Sequence, residues 1–251
     1  MGQIIAVANQ KGGVAKTTTA HQIGAGLQHG GFKVLFVDLD GQQNLSYTLR
    51  AMEAKLNAYD VLTGKAPAEK AVTKTATADI IAASSLLTVI DQTLKGAGAD
   101  QKLKKALQPL KSQYDYIVID TPPALGILTI NAFTAADKVV IPAQADIYSL
   151  QGIGQLYRTI NAVQQKTNPG LTIAGIVLTR HNGRTLLSKD MAQLIEETAG
   201  KIGTKVYKSI IREGVAVKEA QALGLDIFTH APKSNPGKDY SKFLSELLKD
   251  L

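Results

Sequence analysis

The residues best suited to chemistry stand near the amino terminus, in the run Asn9-Gln10-Lys11-Gly12-Gly13-Val14-Ala15-Lys16-Thr17-Thr18-Thr19. A short apolar stretch, Ile4–Ala8, precedes it, and a segment of helical pattern follows from about Thr17 to Gly30. A glycine-rich turn between strand and helix aims backbone N–H groups and the positive end of the helix dipole at one point, which is the physical core of a phosphate cradle. In that reading Gly12, Gly13, Val14, Ala15 and Thr18 wrap the anion, Lys16 reaches its terminal phosphates and the Thr17 hydroxyl takes a magnesium position. The alternative is a plain tight turn, which leaves the Lys-Thr pair unexplained. One residue departs from the usual pattern: Ala15 stands where glycine normally precedes the lysine. A methyl group costs most where φ is positive or where backbone crowds a phosphate, so Ala15 is expected to weaken or slow nucleotide handling.

Such a loop works only if a sheet holds it, and the rest of the chain supplies one. Ile4–Ala8, Val34–Asp38, Tyr116–Asp120, Lys138–Pro142 and Ile173–Thr179 read as strands apolar on both faces, with a candidate strand at Asp79–Ala82. Helical patterns fall at Thr17–Gly30, Lys102–Gln113, Leu125–Ala136, Leu150–Lys166 and Leu186–Ala199. Alternation of this kind predicts an α/β fold: a mostly parallel, twisted sheet with helices on both faces, built by right-handed crossovers. Residues 1–251 read as a single domain, and residues 51–100 as short helices and loops. Ligands of such sheets bind at the carboxyl ends of the strands, where this loop stands.

Composition narrows the class. The 251 residues contain no cysteine and four scattered histidines, which excludes thiol nucleophiles, disulfides, zinc ribbons and iron–sulfur clusters. Neither a spanning apolar run nor a leader with a cleavage site is evident, so a cytoplasmic chain is expected. The net charge of +7 is uneven: residues 1–150 hold 14 basic and 12 acidic side chains, residues 151–251 hold 14 and 9. A basic C-terminal part suits a polyanionic partner, and equally a solvated surface.

The string Lys11-Gly12-Gly13-Val14-Ala15-Lys16-Thr17-Thr18 resembles the deviant Walker A motif of the ParA/MinD branch of P-loop ATPases. The likeness continues in order through Val37-Asp38-Leu39-Asp40, Ile119-Asp120-Thr121-Pro122-Pro123, Asn131-Ala132, Ala135-Ala136-Asp137 and Ile141-Pro142-Ala143-Gln144, and is strongest to the small ParA/Soj partition ATPases. The resemblance implies a homodimer sandwiching two ATP molecules with magnesium, and Lys11 reaching across to the partner's nucleotide. It places Asp40 as the carboxylate that positions the attacking water and assists at the metal, Asp120 as the Walker B acid, and Asp38 behind them. Family members usually follow the second aspartate with Pro-Gln-Gly-Asn, whereas this chain has Gly41-Gln42-Gln43-Asn44, which bears on the hydrolysis rate. Adenine recognition is implied for Thr179, Arg180 and the segment around Pro232.

For DNA, the resemblance implies non-specific binding through Arg184, within the basic stretch that includes Lys189. A second family arginine falls on Ala216, and Arg212 or Lys218 is expected to stand in for it, because phosphate contacts tolerate a shift of position. The family further implies a ParB-like centromere-binding partner and a nucleoid-associated location. The chain begins almost at its first strand, without the helix-turn-helix extension of larger plasmid homologues, so operator binding is not expected. Two rivals remain. A MinD-like membrane ATPase needs a basic amphipathic C-terminal helix; Asp239–Leu251 puts Tyr240, Phe243, Leu244, Leu247, Leu248 and Leu251 on one face but has a balanced polar face, so a core-packing helix and no membrane partner are expected. A hydrolysis-poor, nucleotide-dependent scaffold is the other.

Overall fold

In the computed structural model, which describes residues 2–181 and 186–251, the strands are β1 (Gln3–Val7), β2 (Val34–Asp38), β3 (Val72–Lys74), β4 (Asp79–Ile81), β5 (Tyr116–Asp120), β6 (Lys138–Ala143) and β7 (Thr172–Leu178). They form one sheet in the order β3-β4-β2-β5-β1-β6-β7. Every pairing is parallel except that of β3 with β4. The helices are α1 (Lys16–His29), α2 (Asn44–Thr48), α3 (Ala58–Leu62), α4 (Ala68–Ala71), α5 (Ile90–Thr93), α6 (Lys102–Leu107), α7 (Ile127–Ala135), α8 (Ile147–Lys166), α9 (Leu186–Lys201), α10 (Val215–Leu223), α11 (Ile227–His230) and α12 (Asn235–Leu247).

Successive strand residues point to opposite faces, so a strand covered on both sides must be apolar throughout. On β1, Ile4 and Ala6 join Leu35, Val37, Ile117, Ile119, Phe133 and Leu156 in one core, while Ile5 and Val7 join Ile23, Phe36, Val118, Phe243 and Leu247 in the other. Burying β1 in the middle of the sheet fixes the loop that follows it. The approach of α1 to the sheet is close enough that a Cβ on Gly24 would come within 2.2 Å of the Phe36 ring, which explains glycine inside that helix.

Several boundaries differ from the sequence-based expectation for identifiable reasons. The helix expected over Lys102–Gln113 is α-helical only to Leu107 and continues as a 3-10 turn over Gln108–Ser112. Pro109 has no N–H to donate, so the α-helical hydrogen-bond ladder is interrupted there. Helix α8 starts at Ile147, three residues early, because the Asp146 side chain accepts from the Ser149 N–H and caps it. Helix α12 likewise starts at Asn235, capped by Ser234 with Pro236 in its first turn. The three-residue edge strand β3 is too short to show a period and was not expected; Lys74 at its end pairs with Asp79 across an antiparallel turn.

The C-terminal helix packs into the core, as expected. Tyr240, Phe243, Leu244 and Leu247 are buried, and each such side chain is worth about 1.5–3 kcal/mol on removal from water. Leu248 does not follow its neighbours inward: it stands exposed just past the helix end. Among the described residues no helix is long and apolar enough to cross a membrane.

Candidate active site

The loop between β1 and α1 is braced from beneath. Asn9 is buried and donates to the Pro142 carbonyl at 2.7 Å, while its own side-chain carbonyl accepts from the Lys11 N–H at 3.0 Å. From the β7 side, the buried Thr179 hydroxyl donates to the Val14 carbonyl at 3.0 Å. Gly12 and Gly13 stay exposed at the tip, with Gly13 at φ +76°. Ala15 sits at the helix start with φ 63° and ψ 34°, in the left-handed region, and no side chain caps that end of α1. The free N–H groups of its first turn are thus available to an anion.

Lys16 is buried, and its ammonium donates to the Lys11 carbonyl at 3.0 Å across the loop. Burial lowers its proton affinity, and the carboxylates of Asp120 and Asp40 oppose that effect. Asp120 ends β5 fully buried, and neither carboxylate oxygen has a hydrogen-bond partner. Its pKa stands well above the ordinary carboxylate range because of burial first and the neighbouring charge of Asp38 second; Thr17 and Lys16 pull the other way. An unpartnered buried carboxylate is expensive unless something charged completes it. Thr17 is close enough to Asp120 to lower its proton affinity. One cation-binding hydroxyl and one orphaned carboxylate suit magnesium, which takes few protein ligands and keeps waters and phosphate oxygens for the rest. The described residues contain no cluster of three acidic, His or Cys side chains that could hold a metal ion.

Asp40 begins the turn after β2 and is half-exposed; its carboxylate accepts from the Gln42 N–H at 3.0 Å. Asp38 is buried behind it, accepting from the Ser46 N–H at 2.9 Å, the Ser46 hydroxyl at 2.7 Å and the Asp40 N–H at 3.0 Å. Lys11 stands at the rim, its ammonium donating to the Gln144 side chain at 2.9 Å and to the Asp146 carboxylate. Arg180, itself at φ 51°, donates to the Gly13 carbonyl at 3.2 Å and pairs with Glu213 at 2.8 Å.

Beside the loop opens a cavity of about 330 Å³, bounded by Ala15, Thr18, Thr179, Arg180, Gly214 and Val217. It is large enough for a planar heterocycle lying against apolar surface. Thr179 and Arg180 stand at it. Pro232 does not: it is exposed in the turn before α12, and the cavity wall is supplied instead by the segment Ile211–Gly214 and by α10. Of the basic residues, Lys189 on α9 and Lys218 on α10 are exposed. Arg212 is held by Asp239, at 2.8 Å from Nε and 2.7 Å from Nη2, so it is a fixed charge tied to α12 rather than a loose one. Arg184 lies outside the described residues. Asn9, Gln144, Asp146 and Glu213 were not anticipated as site residues; the capping pattern at Asp146 and the position of Asn9 beside the loop were the available signals.

Fold and site together define a P-loop nucleotide-binding protein, with the loop after a central parallel strand and a carboxylate at the end of the adjacent one. Comparison with known proteins sharpens this. An AAA-domain family model matches residues 2–173. The sporulation initiation inhibitor protein Soj of Bacillus subtilis is 41% identical, over 98% of both chains. The chromosome partitioning protein ParA of Caulobacter vibrioides is 38% identical over 98% of this chain and 94% of its own. Among solved structures, a Mycobacterium smegmatis protein described as cobyrinic acid a,c-diamide synthase, with ADP and magnesium bound, superposes with a TM-score of 0.85 at 35% identity, covering 99% of this chain and 95% of that one. The chain belongs to the AAA-domain family and, within it, to the Soj/ParA group of partition ATPases.

Proposed function

We propose that this chain is the ATPase of a DNA-partition system: it binds ATP with magnesium, dimerises in that form, holds DNA without regard to sequence and is stimulated to hydrolyse by a ParB-like, centromere-binding partner. Its place would be on the nucleoid, in the cytoplasm. The observation that carries this reading is the convergence on one loop of buried Lys16, orphaned Asp120 and the rim lysine Lys11. The near full-length likeness to proteins named for chromosome partitioning favours it over the diamide-synthase description of the solved relative.

When bound, ATP and magnesium supply the scissile anhydride and the charge that shields it. Lys16 and the N–H groups of Gly12 to Thr18 would hold the phosphates, Thr17 and Asp120 would hold the metal, and Asp40 would orient a water molecule. Lys11 is engaged within its own chain, so its reach into a second copy requires release from Asp146 and Gln144; hydrolysis is then coupled to assembly. The exposed lysines Lys189 and Lys218, with Arg184 and the fixed Arg212, supply phosphate contacts on the C-terminal face. The burial of the α12 apolar face counts against a membrane-bound role, since inserting it in lipid would strip Phe243 and Leu247 from the core.

The test is a pair of variants. Lys16→Ala should lose ATP binding, and unchanged affinity would remove the loop from the site. Asp40→Ala should bind ATP and DNA normally but stop turning over, and wild-type hydrolysis by it would remove Asp40 from the mechanism.

A further inference from the structure

Gln43 holds a left-handed backbone conformation, φ 59° and ψ 25°, at the start of α2. A non-glycine residue there is strained unless its surroundings hold it. Its side chain provides the hold: the Gln43 amide donates to the Ala83 carbonyl, just past β4, at 3.1 Å. The Ala83 N–H in turn donates to the Ser46 hydroxyl at 2.8 Å, and that hydroxyl donates to buried Asp38. Both backbone groups of Ala83 are therefore taken by side chains from the Asp40 segment, while the Gln43 N–H closes the turn onto the Asp40 carbonyl at 2.8 Å.

We propose that Gln43 is a positioning residue for hydrolysis, clamping the Asp40 turn to the end of β4 and so fixing the carboxylate that aims the attacking water. The turn is thus set by a side-chain hydrogen bond from the start of α2 to the segment just past β4. This inference rests on the role of Asp40 proposed above.

Three full-length variants test it by single-turnover hydrolysis of ATP–magnesium, with ATP affinity and thermal midpoint measured alongside. Gln43→Glu keeps the shape but cannot donate to Ala83, Gln43→Ala keeps the strain without the tie, and Gln43→Gly removes both. All three should hydrolyse about fivefold to tenfold more slowly, the usual worth of one neutral hydrogen bond or slightly more, with ATP affinity within about twofold of wild type. Gln43→Gly should be as stable as wild type, which a merely structural role for the glutamine would not allow together with slow hydrolysis. Wild-type rates in Gln43→Glu and Gln43→Gly would overturn the proposal. Asp40→Ala serves as the reference: if it is inactive while the Gln43 variants are normal, only the clamp is wrong, whereas an active Asp40→Ala removes the underlying site assignment.

Discussion

Asp38 and Asp120 are register partners on the adjacent parallel strands β2 and β5, and both side chains are completely buried. Burial and then the neighbouring charge of Asp38 push Asp120 well above the usual carboxylate range, and burial carries Asp38 up to about 6 against its hydrogen bonds from Ser46. They differ in how they are satisfied. Asp38 accepts three hydrogen bonds, whereas neither oxygen of Asp120 has a hydrogen-bond partner.

Relieving this buried, unsatisfied carboxyl group should stabilise the nucleotide-free protein. Asp120→Asn is expected to raise the thermal midpoint by a few degrees, at roughly 2–4 °C per kcal/mol for a chain of this size, while magnesium-dependent hydrolysis is lost. Calorimetry without nucleotide and an ATPase assay check both halves. A lowered midpoint would mean that Asp120 is satisfied by the protein itself.

Ala15 tests what the loop tolerates. At φ 63° a methyl group costs about 1 kcal/mol against glycine, but glycine gives back a similar amount through the freedom of the unfolded chain. Ala15→Gly should therefore leave the thermal midpoint within about 2 °C and bind ATP at least as tightly, since the backbone is already in the conformation glycine prefers. A β-branched replacement, Ala15→Val, should be clearly destabilising and weaken ATP binding. Calorimetry and nucleotide titration on the two variants decide it; loss of ATP binding in Ala15→Gly would show that the methyl group is itself part of the site.

His21 sets an acid limit on stability. It is buried in α1, with its ring edge-on to Phe36 and its Nδ1 3.2 Å from the Gln22 amide, and burial lowers its pKa from 6.5 to about 4 against the opposing charge of Asp226, which His29 shares. The unfolded chain takes up this proton first, so the contribution of His21 is complete above 6.5 and is lost as the pH falls towards 4. Thermal midpoints between pH 7 and pH 4 should fall less steeply in His21→Leu than in wild type. Parallel curves would assign the acid limit elsewhere.

The basic residues on and near α10 separate by their partners. Lys218 is exposed, so Lys218→Ala should weaken DNA binding and reduce its salt dependence, by about 0.9 in the log–log slope for each phosphate no longer neutralised, without touching stability. Arg212→Ala should also lower the thermal midpoint, because Arg212 is bonded to Asp239 on α12. Fluorescence anisotropy across a salt series, set beside thermal melts, distinguishes the two. Equal stability of both variants would show that the Arg212–Asp239 pair contributes nothing to the fold.

Much of this architecture is legible in the sequence because parallel strands announce themselves: β2 and β5 are continuous apolar runs ending in aspartate, and pattern alone bounds both correctly. The phosphate loop is legible for the same reason, since its residues are contiguous. What cannot be read is assembled from distant segments. The cavity wall at Ile211–Gly214, more than 190 residues from the loop, carries no local motif. Nor does the sequence reveal that Gln43 reaches Ala83: β4 is legible at Asp79–Ala82, but no local pattern ties its end to the turn after β2, and β3 beside it is too short to show a period.

The central claim, that nucleotide state controls DNA binding, is tested most directly by titrating a labelled random-sequence duplex with the protein in the presence of no nucleotide, ADP–magnesium or ATP–magnesium, at several salt concentrations. The account predicts tight binding with ATP alone, indifferent to base sequence and falling steeply as salt rises, because phosphate contacts carry the affinity. Binding that ignores the nucleotide, or none in any state, would contradict it.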